Sequence, residues 1–225
     1  MSDGFRLRIC YEITERLAFL SHLETIRSVE RIVRRAQLPF AITEGFNPHM
    51  KISFGPALPV GAGSKGEYVD LRMREYIAAD RVLATLRQCA PPNLMPISCE
   101  YIEMGADAID VAYPVSEWRA VLDAGSHDLV EIERAFGALV DRGYIEVTKT
   151  KGKKVSTKRV EFAERLIDGP HLAESDRGIV VEFSTYQGSE GALRPDKFIV
   201  AAFEGMEEPP ELFELTRMAL RPAEK

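Results

Sequence analysis

Phe5-Arg6-Leu7-Arg8-Ile9-Cys10-Tyr11-Glu12, followed shortly by Ser21-His22-Leu23-Glu24, decides the fold class. In the first stretch Phe5, Leu7, Ile9 and Tyr11 fall on one face, and Arg6, Arg8, Cys10 and Glu12 on the other. That period of two predicts a half-buried strand. The second stretch is a capping box: a Ser hydroxyl accepts from an otherwise orphaned amide, and a Glu three residues on reaches back. The helix it opens runs to about Gln37, with Leu23, Ile26, Val29, Ile32, Val33 and Ala36 as its apolar stripe and Pro39 as its stop.

Beyond that helix, Gly45-Phe46-Asn47-Pro48-His49 reads as a loop dense in turn residues. Residues 51–54 and 67–73 read as strands, and the segment 55–66 holds too much Gly and Pro for a regular element. A helix over Ala79–Cys89 stacks Val82, Leu83 and Leu86 and stops at Pro91-Pro92. A strand over 97–104 then completes a β-α-β-β-α-β order. The second half repeats that order: a strand at 108–114, a helix at 128–141 capped by Asp128 and stopped by Gly143, strands at 144–150 and 178–185, a helix opened by Pro195, and a last strand at 212–220. Residues 151–177 form a long irregular excursion. The expectation is an α+β chain of two tandem ferredoxin-like sandwiches with antiparallel sheets, the domains being 1–104 and 105–225.

Composition narrows the function classes. The 225 residues carry a formal net charge of −6, so a basic field over the whole protein is absent and nucleic acid would need a local patch. Cys10, Cys89 and Cys99 are odd in number and irregular in spacing, which fits neither a disulfide framework nor a structural zinc site. They read as buried thiols of a reducing compartment. No secretory signal and no run of about 18 apolar residues is legible, so the expectation is a cytoplasmic protein without a membrane span. No cofactor is expected.

Four features could carry chemistry. Arg27, Arg31, Arg34 and Arg35 share one side of the first helix, opposite its apolar stripe, where guanidinium forks suit phosphates; the bland alternative is a solvated face paired to Glu24 and Glu30. Lys149, Lys151, Lys153, Lys154, Lys158 and Arg159 form a basic run that no acid interrupts, which suits a phosphate backbone or serves only solubility. Phe46, Asn47, His49 and Lys51 share a loop ahead of a strand. His22, at the start of the first helix, and His49 are candidates for an acid–base pair in metal-free RNA cleavage, or are unrelated residues. Gly61-Ala62-Gly63-Ser64-Lys65-Gly66 fails the phosphate-loop pattern and reads as a turn. Trp118 reads as a packed aromatic, with a base-stacking platform as the sharper alternative.

Phe19-Leu20-Ser21-His22-Leu23-Glu24, Glu30-Arg31-Ile32-Val33-Arg34-Arg35-Ala36, Glu44 through Phe54, Leu58-Pro59-Val60-Gly61 and Gly66-Glu67-Tyr68 together resemble the radical-SAM-linked family, a bacterial domain of unknown function. Gly188 through Asp196 and Leu215-Thr216-Arg217 look like the same family's end. The resemblance implies a domain found alone or fused to a radical S-adenosylmethionine enzyme, often near an RNA-processing ribonuclease. The chain lacks a cysteine cluster for an iron–sulfur centre, so the resemblance casts it as the radical enzyme's partner. The resulting expectation is an RNA-associated accessory protein without catalysis of its own. The alternatives are a metal-independent RNA-processing enzyme using His22 and His49, or a protein-docking module for the radical enzyme.

Overall fold

The alternation of Phe5–Ile13 becomes β1, with Leu7, Ile9, Tyr11 and Ile13 buried and Arg6 and Arg8 turned to the other face. The computed structural model describes residues 4–151, 154–188 and 191–223. It divides into two units, Met1–Tyr113 and Pro114–Lys225. No helix among the described residues is long and apolar enough to cross a membrane.

In the first unit, α1 (His22–Arg35) starts at the expected capping box: Ser21 accepts from the Glu24 amide, and the Glu24 carboxylate accepts from Ser21. Its buried face is Thr25, Val29, Ile32 and Val33. Leu23, expected in the stripe, is instead exposed. Next come β2 (Ile52–Phe54), β3 (Ala62–Met73), α2 (Ala79–Cys89) and β4 (Leu94–Ile102). β1 lies between β3 and β4, and β2 flanks β3, every pairing antiparallel. Strand β3 begins at Ala62, so the Gly-rich stretch read as a turn is sheet. Ser64 and Glu67 are buried there, and the Ser64 hydroxyl donates to the Glu67 carboxylate at 2.6 Å. Val29, Ile32 and Val33 of α1 and Val82 and Leu86 of α2 pack on Leu7, Ile9, Val69 and Leu71. The helices therefore cover one face of this sheet, and the face of Arg6 and Arg8 is left free of them.

The strand expected at 108–114 is a single helical turn, α3 (Ile109–Ala112), with Ile109 buried and Val111 exposed. So short an apolar run cannot be assigned by periodicity alone. The unit boundary correspondingly falls after Tyr113, not after residue 104, because 104–113 folds back on the first sheet. Arg6 donates to the carbonyls of Ala106 and Asp107, Arg8 donates to that of Asp107, and the Tyr113 ring stacks on Tyr68 with centroids 4.6 Å apart.

The second unit opens with β5 (Val115–Asp123) and α4 (Leu129–Arg142), the helix capped by an Asp128–Glu131 box and closed by Gly143 at φ 77°. Then β6 (Tyr144–Lys151) and β7 (Lys154–Glu161), among the described residues, pair only with each other, as a hairpin. The strand read at 144–150 exists, but outside the main sheet. The supposed irregular excursion holds β7 and β8 (Leu166–Ser175), the latter on β9 (Gly178–Gly188). Register shifts near Gly169 disguise β8. Gly169 sits at φ 83°, where a Cβ would meet the Glu182 carbonyl at 2.6 Å. After the short β10 (Gly191–Ala192), α5 (Pro195–Ala202) and β11 (Glu211–Arg221) complete the unit, in which β5 lies between β9 and β11. Phe136, Phe162, Phe183, Phe198 and Phe203 form one aromatic cluster, and Phe162 ties the hairpin's base into it. Trp118 is packed inside: its indole N–H donates to Thr185 at 2.9 Å and the Arg217 guanidinium lies over its ring, so it offers no platform to a base.

Candidate functional site

The four arginines on α1 stand where their spacing put them. Arg27, Arg31, Arg34 and Arg35 lie on one side of the helix, opposite Val29, Ile32 and Val33, with Arg31, Arg34 and Arg35 among its solvent-facing residues. The bland expectation paired them with Glu24 and Glu30. Glu24 is hydrogen-bonded by Ser21, whose amide and hydroxyl both donate to it; these bonds, and after them the charge of Arg27, hold the Glu24 carboxyl below its ordinary range. Among the described residues none of the four arginines makes an ion pair; Arg34 lies over the Phe40 ring at 5.3 Å.

The loop ahead of β2 is a hairpin. Ile42 and Met50 bridge, the Thr43 amide donates to the His49 carbonyl at 2.8 Å, and the His49 amide donates to the Thr43 hydroxyl at 3.0 Å. Ala41 and Lys51 are in turn bonded to the backbone of Arg72 on β3. Met50 is buried and anchors the stem, and the tip holds Phe46, fully exposed, with Asn47 and His49 also exposed. The structure therefore brings Phe46, Asn47, His49 and Lys51 onto one projection. His22 is elsewhere. It meets the edge of Phe54 at 6.2 Å and borders a cavity of about 20 Å³ shared with Tyr11, Thr25 and Glu67. Among the described residues no hydrogen bond or ring contact joins His22 to His49.

In the second unit, Lys149 and Lys151 stand on β6 and Lys154, Lys158 and Arg159 on β7, while Lys153 lies outside the described residues. Arg159 covers the Tyr144 ring at 3.3 Å and Lys158 is exposed.

One cluster escaped sequence reasoning. On the face of the first sheet opposite α1 and α2, Arg8 and Asp70 are direct cross-strand partners, as are Arg6 and Arg72. Asp70, 3% exposed, accepts from both Arg6, at 2.7 Å, and Arg8, at 2.8 and 2.9 Å. The hydrogen bond to Asp70 raises the Arg8 guanidinium's already high pKa further against the cost of its burial. Beside this clasp lies an open groove of about 420 Å³, lined by Arg6, Lys51, Ile52, Ser53, Asp70, Arg72, Ala106 and Ala108. The alternation of Arg6 and Arg8 about Leu7, and of Asp70 and Arg72 with Val69 and Leu71, was its sequence signal, and read alone it meant a wet strand face on each.

The cysteines are half-buried, not buried. Burial, and after it the charge of Glu67, pushes the Cys10 thiol up to about 11, and burial raises Cys99 as well. Both thiols thus stay protonated near neutrality. No cluster of three or more His, Cys, Asp or Glu suited to a metal occurs among the described residues.

With its mixed α+β, antiparallel architecture, the chain is similar in fold to one chain of a crystal structure of a Cbf5-Nop10-Gar1 complex. The likeness covers 96% of this chain at a TM-score of 0.52 and 10% identity, and spans about half (49%) of that chain. At that identity it is a likeness of fold alone. Residues 6–195 match the family described as an uncharacterized protein conserved in bacteria (DUF2344), and the chain belongs to it. No curated protein matches the chain.

Proposed function

We propose that this chain is a non-catalytic accessory protein, built of two ferredoxin-like units, that binds the phosphate backbone of RNA. One observation carries the reading: Arg27, Arg31, Arg34 and Arg35 line one side of α1 without a direct ion pair among the described residues, Glu24 acting on Arg27 only through space. They span about 12 Å of helix. Guanidinium groups are weakly hydrated and present planar forks that match phosphate oxygens, so an unpaired row of them favours a polyanion. The hairpin tip adds a fully exposed ring at Phe46, suited to stacking on an unpaired base, with Asn47, His49 and Lys51 beside it. The lysine-rich β6–β7 hairpin, with Lys151, Lys153, Lys154, Lys158 and Arg159, supplies further phosphate contacts in this reading.

The support for two ferredoxin-like units is their matching pairing order. It is β4-β1-β3-β2 in the first and β11-β5-β9-β8 in the second, once the β6–β7 hairpin is set aside as an insertion. Partnership with a radical S-adenosylmethionine enzyme is part of the proposal and rests on the sequence resemblance.

The test is fluorescence anisotropy with single-stranded RNA across 50–200 mM salt, roughly the range over which phosphate binding weakens steeply. In an Arg27→Glu/Arg31→Glu variant affinity should fall, and the slope of log K against log salt should flatten by roughly 0.7 for each phosphate no longer neutralised. An unchanged slope in a variant with native circular dichroism would take α1 out of the proposal.

A further inference from the structure

The face of the first sheet opposite α1 and α2 carries a second collection of charge, on the side of the sheet away from the α1 arginines. Arg6 and Arg72 are directly opposite each other on β1 and β3. Like charges so placed destabilise a sheet unless an anion lies between them. The carboxylate at hand, Asp70, already serves Arg6 and Arg8 together. Arg72 donates one N–H to the Met104 sulfur, a weak acceptor, and meets no carboxylate among the described residues; neither does Lys51. The groove is thus lined by three cations and one carboxylate, a surplus of two positive charges. Beyond the lining, Arg8 faces Glu100 on β4, and Asp107, between Ala106 and Ala108, gives its backbone carbonyl to Arg6 and Arg8 while its exposed carboxylate stands outside the lining.

The geometry points to a binding site for a phosphate monoester. Such a group carries close to two negative charges near neutrality and so matches the surplus, whereas a phosphodiester carries one. The Arg72 guanidinium has N–H groups left for an anion, Lys51 adds a mobile ammonium, and Ser53 contributes a hydroxyl on the rim. The groove, about 420 Å³ and open to solvent, leaves room for a nucleotide-sized ligand to lie along it with its phosphate among the cations. The monoester is carried either by a free nucleotide or by the phosphorylated end of an RNA strand. The site stands whether or not α1 binds RNA.

Calorimetry on the full chain tests this with AMP, with the dinucleoside monophosphate ApA, whose only phosphate is a diester, and with a pentanucleotide bearing a 5′-phosphate or a 5′-hydroxyl. AMP should bind, ApA should bind at least about tenfold more weakly, and Lys51→Gln and Arg72→Gln should each weaken AMP by at least about tenfold. Lys51 is exposed, so Lys51→Gln reports on the site even if Arg72→Gln fails to fold. Preference for the 5′-phosphorylated oligomer, abolished in Lys51→Gln, would assign the monoester to an RNA end. Equal binding of the two oligomers alongside tight AMP would assign it to a free nucleotide. No AMP binding, ApA as tight as AMP, or AMP unaffected by Lys51→Gln would overturn the proposal.

Discussion

Asp70 is where the first unit's open face gains its order. Its carboxylate holds two guanidinium groups, one of them on Arg8, which is 5% exposed, and through Arg6 and Arg8 it ties the carbonyls of Ala106 and Asp107 to the sheet. Asp70→Asn keeps the shape and removes the charge, leaving two partly or fully buried cations uncompensated. The expected cost is about 3–5 kcal/mol in urea unfolding of the full chain. Glu204→Gln, which breaks the exposed pair with Arg142, should cost about 0–1 kcal/mol in the same measurement. At this scale the sequence was half legible. The alternation around Arg6, Arg8, Asp70 and Arg72 announced a common polar face on each strand. That Asp70 stands opposite Arg8, and Arg72 opposite Arg6, depended on a register between strands far apart in the chain.

Elements were legible where their signals are local. Both capping boxes form, at Ser21–Glu24 and Asp128–Glu131, because the bonded atoms are three residues apart and need nothing else of the fold. Asp128→Ala should therefore cost about 1 kcal/mol, read as a lowered urea midpoint with an unchanged m value. Elements misread were those whose state is decided by distant partners. The run 108–114 begins as a helical turn in which Ile109 is the residue that finds a buried place. The strand at 144–150 left the main sheet because its one partner is β7. Strand β8 was hidden by Gly169-Pro170 and a bulged register, though β9 supplies it with partners along most of its length.

At the scale of the molecule, each unit closes a core of its own, and the first is complete only with the strap after β4. Residues 1–113 keep Tyr113 on Tyr68 and the carbonyls that Arg6 and Arg8 require, whereas residues 1–104 have none of these. The longer fragment should melt cooperatively, and at a temperature higher by several degrees, given that each kcal/mol shifts a domain of this size by about 4–8 °C. Equal melting temperatures for the two fragments by circular dichroism would count against the strap.

The mixed α+β character, the order of elements in the first half, both helix caps, and the placing of Arg27, Arg31, Arg34 and Arg35 on one side of a helix were all written in the local sequence. Periodicity and capping act over one or two turns of chain, so they survive without a fold. It took the folded chain to leave the α1 arginines without a direct ion pair among the described residues, to set Phe46 and Lys51 on one projection, and to join Lys51 with Arg6 and Arg72 around a groove. Those relations are made by strand register and by a segment folding back across a sheet, and residues that meet in this way carry no mark of it in their own neighbourhood.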